Sequence, residues 1–288
     1  VIAERLGLDL PQPDMTSWTA MVNRVKHPSA GTAKIAVVGK YTDHIDSYKS
    51  IQESLIHGGI ANDVKADIHW LSSEVFDNGE GVEKLKEYDG LLIPGGFGPR
   101  GVEGMLETIR WARENQMPFF GICLGLQCAV IEFARNVCGL EGSHSSEFAE
   151  ASPDPVICLL DSQLQVTTMG GTMRLGAYPC ALGEGTKARE IYGVDEISER
   201  HRHRFEVNNE YRDLLTDNGM TISGTSPDGG LVEMIELTEH PWFVAGQFHP
   251  ELKSRPTRPH PLFASFVGAA AAYARNQPAK PAAEPASV

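Results

Sequence analysis

Two residues of this chain have the neighbours that covalent acyl chemistry requires. Cys123 lies in Gly121-Ile-Cys-Leu-Gly125, a G-x-C-x-G pattern between an apolar run at 119–122 and a helical stretch from Leu124 to about Asn136. The G-x-S-x-G nucleophile elbow has the same layout, with oxygen in place of sulfur. In such an elbow a tight strand-to-helix turn strains the nucleophile, flanking glycines leave room for crowded backbone, and the helix N-terminus favours a thiolate. A lone cysteine is more often a small buried hydrophobe, and Cys128, Cys138, Cys158 and Cys180 are read that way. The two glycines and the strand–helix context set Cys123 apart.

A thiolate that attacks an amide needs a group to protonate the departing amine, usually histidine. Among ten histidines, His249 in Gly246-Gln-Phe-His-Pro-Glu251 stands at the end of an expected strand with a carboxylate two residues on. An extended backbone would turn both side chains to one side, so Glu251 is expected to orient the imidazole as a triad carboxylate does. Pro94-Gly-Gly-Phe-Gly98 follows another buried run. Its backbone N–H groups, with the N–H of Leu124, could stabilise a tetrahedral oxyanion. No Gly-Lys-Ser/Thr follows, so it is not a Walker A loop. The stretch Glu199-Arg-His-Arg-His-Arg-Phe-Glu-Val-Asn208 is a basic cluster in an acidic chain. Strand alternation would put Arg200, Arg202 and Arg204 on one face and His201 and His203 on the other. An arginine there could fork onto a substrate carboxylate.

These groups need a scaffold that gathers them. Short apolar runs at 34–38, 64–70, 90–93 and 119–122 alternate with helical stripes. One stripe holds Tyr48, Ile51 and Leu55 and is expected to stop at Gly58-Gly59. Another holds Val102, Met105, Leu106 and Ile109. This alternation predicts a parallel sheet with right-handed crossovers, whose sites lie at the carboxyl ends of the strands. After about Glu150 the pattern turns strand-rich, at 156–160, 172–175, 220–224, 231–236 and 243–247. A last helix runs from Pro261 to about Arg275. Residues 1–30, with Pro11, Pro13 and Pro28 around an amphipathic stretch, are expected to be a linker or the end of an upstream domain. Residues 31–275 form the main domain, and the Pro/Ala-rich residues 276–288 are expected to be disordered.

A net charge of −13 argues against a duplex nucleic-acid binder, which needs a basic face. No apolar run is long enough to span a membrane, and the first residues lack a signal-peptide layout. Five cysteines without a CxxC pair point to a reduced cytoplasmic protein with no disulfide framework, and no metal site is expected.

Taken in order, Gly95-Gly-Phe-Gly98, Gly121-Ile-Cys-Leu-Gly-Leu-Gln127 and Phe248-His-Pro-Glu251 resemble the class I, triad-type glutamine amidotransferases. Within that class, further stretches resemble the glutaminase domains of the CTP synthase family. They are Gly39-Lys-Tyr-Thr-Asp-His-Ile-Asp-Ser-Tyr-Lys-Ser50, Pro94-Gly-Gly-Phe-Gly-Pro-Arg-Gly-Val-Glu-Gly104, Ser146-Glu-Phe148, Gly170-Gly-Thr-Met-Arg-Leu-Gly176 and the run from Glu199 to Asn209. The resemblance covers about residues 31–275. It implies a flavodoxin-like α/β fold, with a mostly parallel central sheet flanked by helices and extra antiparallel strands.

It also implies hydrolysis of glutamine to glutamate and ammonia through a Cys thioester. The ammonia would pass to an N-terminal synthetase domain of the same polypeptide, which uses ATP, UTP and Mg to make CTP. Residues 1–30 would then be the end of that domain and the linker. The glutaminase domain itself would need no cofactor, with GTP as an allosteric activator of a cytoplasmic homotetramer. Neither nucleic acid nor membrane is an implied partner. By position, the resemblance implies Cys123 as nucleophile, His249 as base and Glu251 as its orienter. Gly96 and Leu124 would supply the oxyanion N–H groups. Phe97, Gln127, Glu147 and Arg204 match oxyanion or glutamine-binding positions, with Arg204 for the α-carboxylate and Glu147 for the α-ammonium. Lys40, Tyr41 and Arg100 fall in segments linked to GTP activation. The region 156–195 is short for the family. Other readings are a different class I amidotransferase, feeding GMP or carbamoyl phosphate synthesis, a γ-glutamyl hydrolase, or a non-catalytic module that binds glutamine or nucleotide. The R-H-R-H-R run argues against the first and the intact Cys–His–Glu set against the last.

Overall fold

The computed structural model describes residues 2–11, 13–159 and 173–277. Of the expected strands, residues 160 and 172 lie outside this range, as does 278–288 of the expected tail. Two helices come first, α1 (Ile2–Arg5) and α2 (Thr16–Lys26), and neither contains a buried residue. Then β1 (Thr32–Gly39), α3 (Lys49–Asn62), β2 (Lys65–Ser72), β3 (Gly90–Ile93), α4 (Val102–Glu114), β4 (Phe119–Ile122) and α5 (Leu124–Asn136) follow the expected alternation. The second half contains β5 (Ser143–Ser145), β6 (Asp154–Cys158), β7 (Arg174–Leu182), α6 (Lys187–Tyr192), β8 (Glu196–His203) and β9 (Glu206–Val207). It ends with α7 (Arg212–Asp217), β10 (Met220–Thr225), β11 (Val232–Leu237), β12 (Phe243–Gly246) and α8 (Pro261–Asn276), so the expected tail begins inside α8.

Nine strands form one mixed sheet in the order β2-β1-β3-β4-β12-β11-β10-β7-β8, and β5, β6 and β9 form a small second sheet. Pairings from β2 to β12 are parallel. From β12 to β8 they are antiparallel. The parallel core and its antiparallel extension therefore meet at β12. Its strands read as near-continuous apolar runs because helices cover both faces. Side chains alternate between two cores: Ala36, Val38, Leu91, Ile93 and Phe119 pack under α4 and α5. Ile35, Val37, Leu92 and Phe120 pack under α3 and α8. No helix among the described residues is long and apolar enough to cross a membrane.

Gly58 and Gly59 do not stop α3, which continues to Asn62 and ends on Asp63 in the left-handed region (φ 55°). Their role is close approach. A Cβ on Gly58 would lie 2.6 Å from the carbonyl oxygen of Phe263 in α8, and one on Gly59 would lie 2.6 Å from that of Val64. Two helices can pack this closely only where no side chain intervenes.

Candidate active site

Cys123 occupies the junction between β4 and α5 with φ 54° and ψ −100°, a conformation that non-glycine residues seldom adopt. Holding it costs about 1–3 kcal/mol, so the surroundings must enforce it. Cys123 N donates to Gly246 O of β12 at 2.8 Å, while Leu126 N and Gln127 N donate to Cys123 O at 3.1 and 3.2 Å. The flanking glycines are needed for space: a Cβ on Gly121 would meet Ala245 Cβ and the Gly125 backbone at 2.8 Å. The elbow expected from G-x-C-x-G is present.

His249 follows the carboxyl end of β12, the parallel neighbour of β4, so cysteine and histidine leave the sheet side by side. Its Nδ1 lies 2.7 Å from Glu251 Oε1. The backbone between them is not extended as expected. Pro250–Leu252 form a 3₁₀ turn, and the turn itself folds the carboxylate back onto the ring. Burial works to lower the His249 pKa, but hydrogen bonding and charge from Cys123 and Glu251 outweigh it and raise the value to about 10. His249 Nε2 is buried and has no hydrogen-bond partner among the described residues, while Cys123 is the group beside it that raises its pKa. An imidazolium held by a carboxylate beside a sulfur is suited to donating a proton to a leaving amine.

The loop Pro94–Gly98 leaves β3 and passes directly over this pair. A Cβ on Gly95 would lie 2.9 Å from His249 Cε1, and one on Gly96 would lie 3.1 Å from Leu124 Cδ2. Side chains hold the loop from both sides. Lys40 Nζ donates to Phe97 O at 3.4 Å and, more closely, to Gly98 O. Tyr41 Oη accepts from Phe97 N at 3.4 Å, and Glu147 Oε1 accepts from Gly98 N at 3.1 Å. Arg100 donates to Lys40 O and to Glu74 Oε1, both at 2.7 Å. Lys40 is itself buried, which lowers its pKa. The residues expected in nucleotide-activation segments thus form the fastening of the Gly-rich loop.

A pocket of about 90 Å³ brings together Gly96, Phe97, Cys123, Gln127, Glu147 and Arg204. Met173, His203 and Phe205 complete its wall. Gln127 plays a structural part here, because its Nε2 donates to Phe205 O at 3.1 Å and to Gln247 Oε1 at 3.4 Å. Gln247 was missed by sequence reasoning. It is fully buried, and its Nε2 lies 3.7 Å from Cys123 Sγ. Its place in the Gln-Phe-His-Pro-Glu run was the available signal. On the other side of the Gly-rich loop a cleft of about 480 Å³ also reaches Cys123, His249 and Glu251, with Tyr41 and Arg202 at its rim. In β8, Arg200 and Arg202 are exposed and His201 and His203 buried, as alternation required, while Arg204 lies one residue past the strand. Cys128 and Cys180 are fully buried, and burial pushes both thiols up to about 12, as befits structural cysteines.

The sequence matches the family described as Glutamine amidotransferase class-I over residues 43–269. A CTP synthase of Clostridium perfringens is 57% identical over 270 residues, which are 94% of this chain and 50% of that protein. A CTP synthase of Ruminiclostridium cellulolyticum is 56% identical over 273 residues, 95% of this chain and 51% of that protein. The chain spans about half the length of the curated relatives it matches. Among solved structures, the glutaminase domain of a Trypanosoma brucei CTPS with bound acivicin superimposes with a TM-score of 0.79 at 38% identity, covering 83% of this chain and 94% of that one.

Proposed function

The chain belongs to the class I glutamine amidotransferases, and we propose that it hydrolyses glutamine to glutamate and ammonia through a thioester on Cys123, as the glutaminase half of a CTP synthase. The observation that carries this reading is Cys123 at φ 54° on the β4–α5 junction, beside the buried His249–Glu251 pair. The thiolate attacks the side-chain carbonyl carbon of glutamine. The resulting oxyanion is met by the N–H groups of Gly96 and Leu124. His249 gives its proton to the departing nitrogen, which leaves as ammonia, and then takes a proton from the water that cleaves the thioester. Glu251 holds the ring in place. Glu147 takes the α-ammonium and Arg204 the α-carboxylate, while Phe97 and Gln127 complete the pocket. The test is the mass of the protein after incubation with a chloromethyl ketone analogue of glutamine. One adduct, on Cys123, is expected, and an adduct elsewhere with Cys123 unmodified overturns the assignment.

Substrate capture gives a second expected result. Arg204→Ala should raise KM for glutamine strongly, and Arg204→Lys should restore it only in part, because lysine keeps the charge but loses the planar fork. Steady-state kinetics decide: unchanged KM and kcat in Arg204→Ala would remove this residue from the site.

In the whole enzyme the ammonia passes to a synthetase domain that aminates UTP with ATP and Mg, and residues 1–30 are the end of that domain and its linker. The assembled protein is a cytoplasmic homotetramer, and GTP activates it through the segments holding Lys40, Tyr41 and Arg100. Those residues fasten the loop that bears Gly96. A misplacement of about 1 Å can cost on the order of 10²-fold in rate. The chain alone should therefore show weak glutaminase activity, raised by addition of the synthetase domain with ATP, UTP and GTP. Glutamate release measured with and without these additions is the check. Full activity in their absence would mean that the loop needs no partner.

A further inference from the structure

We infer that Glu206, together with Arg174 and Glu233, positions Arg204 and His203 in the glutamine pocket, so that a charge cluster outside the triad governs how well substrate is held. The inference rests on glutamine being the substrate. Arg174, at the start of β7, donates from Nη2 to Glu233 Oε1 of β11 at 2.7 Å. From Nη1 it reaches Glu233 Oε2 and Glu206 Oε1 of β9, both at 3.3 Å. Both carboxylates are fully buried, and the arginine side chain is 12% exposed. Two buried imidazoles adjoin them. His201 Nδ1 lies 2.9 Å from His203 Nε2, His203 Nδ1 lies 3.2 Å from Phe205 O, and His201 Nε2 lies 3.7 Å from Glu233 Oε2.

The connectivity fixes the protons. Phe205 O can only accept, so His203 Nδ1 carries a proton, and the bare Nε2 accepts from His201 Nδ1. Burial, followed by the charge of Arg174, keeps both rings neutral, lowering His201 to about 2 and His203 to about 3. Burial likewise pushes Glu206 up to about 8, against the pull of Arg174. Burial thus shifts Glu206 towards its protonated form near neutral pH, which reduces the negative charge that the cluster holds beside Arg174.

Buried ion pairs seldom add net stability over apolar packing. A connected polar network does fix one geometry. Here that geometry is the crossing from β8 to β9. The chain leaves β8 at His203, runs through Arg204 and Phe205, and enters β9 at Glu206. Both ends belong to the cluster, and Phe205 O between them is also held by Gln127 Nε2 at 3.1 Å. The base of the Arg204 side chain is therefore set by anchors on either side, while His203, Arg204 and Phe205 face the pocket that holds Cys123.

Alkylation of Cys123 in the full chain tests this, using a chloromethyl ketone analogue of glutamine, which carries the α-amino and α-carboxylate groups, and iodoacetamide, which lacks them. The ratio of the two rates reports recognition apart from the reactivity of the thiol. With Glu206→Ala the ratio should fall by about 10-fold, short of the ~10²-fold that a full 1 Å misplacement can cost. Glu206→Gln resembles the protonated acid and keeps an acceptor for Arg174, so it should recover most of the ratio at neutral pH. Glu206 faces Arg174 from β7, Glu233 from β11 and His203 from β8, with Cys158 opposite it in the β6–β9 ladder and His201 one step further on, against His203 and Glu233. Its ionisation places a second carboxylate charge in this cluster, so the native ratio should fall between about pH 7 and about pH 9 while that of Glu206→Gln stays level. A native ratio in Glu206→Ala, or a Glu206→Gln ratio that falls with pH as the native one does, overturns the inference. If Glu206→Ala does not fold, the Gln variant decides alone. A native chain that shows no preference for the ketone would instead remove glutamine as the substrate, a different outcome from a preference the variants leave intact.

Discussion

Replacing Cys123 with alanine abolishes glutamine hydrolysis, by about 10⁴-fold or more, as expected when the nucleophile of an interdependent set is removed. In the full-length CTP synthase proposed above, the same change should leave synthesis from added ammonia intact, because that step would not pass through the thiol. Cys128→Ala is the control. Cys128 is wholly buried one turn further along α5, and its thiol is pushed up to about 12, so its removal affects packing rather than chemistry. Glutamate release and ammonia-dependent product formation, measured on both variants, separate the roles. A Cys123→Ala protein that hydrolyses glutamine near the native rate would falsify the assignment.

His249→Ala costs ~10²–10⁴-fold in kcat, the usual worth of a positioned acid–base group. Glu251→Gln costs less, because an amide oxygen can still accept from Nδ1 across the 2.7 Å contact. The two also differ in pH behaviour. His249 is raised to about 10 by Cys123 and Glu251 acting against burial, so its protonated form persists through neutral pH and is lost as pH rises towards 10. Removing the Glu251 charge takes away part of that upward pull. The alkaline fall of kcat/KM in Glu251→Gln therefore moves to lower pH. Equal, mild effects of both variants on kcat would place the base elsewhere.

The grouping of Cys123 with His249 and Glu251 was legible in the sequence because each part is local. Gly121, Cys123 and Gly125 mark a turn by spacing alone, and His249 and Glu251 lie within three residues of each other. Their contact was anticipated even though the route was not: a 3₁₀ turn replaces the extended backbone. The parallel half of the sheet was legible for the same reason, since apolar runs and helical stripes are short-range patterns. Gly58 and Gly59 were misread because a helix-stopping glycine and a close-packing one look alike until Phe263 is placed against them. Arg174, Glu206 and Glu233 could not be joined from sequence. They lie on three strands, no two of which pair with each other and one of which belongs to the second sheet, so only the packed tertiary structure brings them together. Gln247 was not legible because its part depends on burial beside Cys123, which follows a different strand, and a neutral amide in an apolar run does not announce that.

The pairing of β4 with β12 has a consequence for control. Cys123 and His249 each leave a strand of the same ladder, where Gly246 lies opposite Ile122 and Cys123 N is bonded to Gly246 O. To separate sulfur from imidazole, a conformational change would have to break main-chain bonds in the middle of the sheet, among the last regions of a protein to open. Among the described residues the Gly96 loop has no such bracing. Its ties are the ends of Lys40, Tyr41 and Glu147, which can be exchanged for other partners without disturbing the sheet. Under the function proposed above, a message arriving from outside the domain would act on a machine whose blade is fixed and whose guard is movable: it would grant or withhold stabilisation of the developing negative charge, while the attacking atom and its proton donor stay in register throughout.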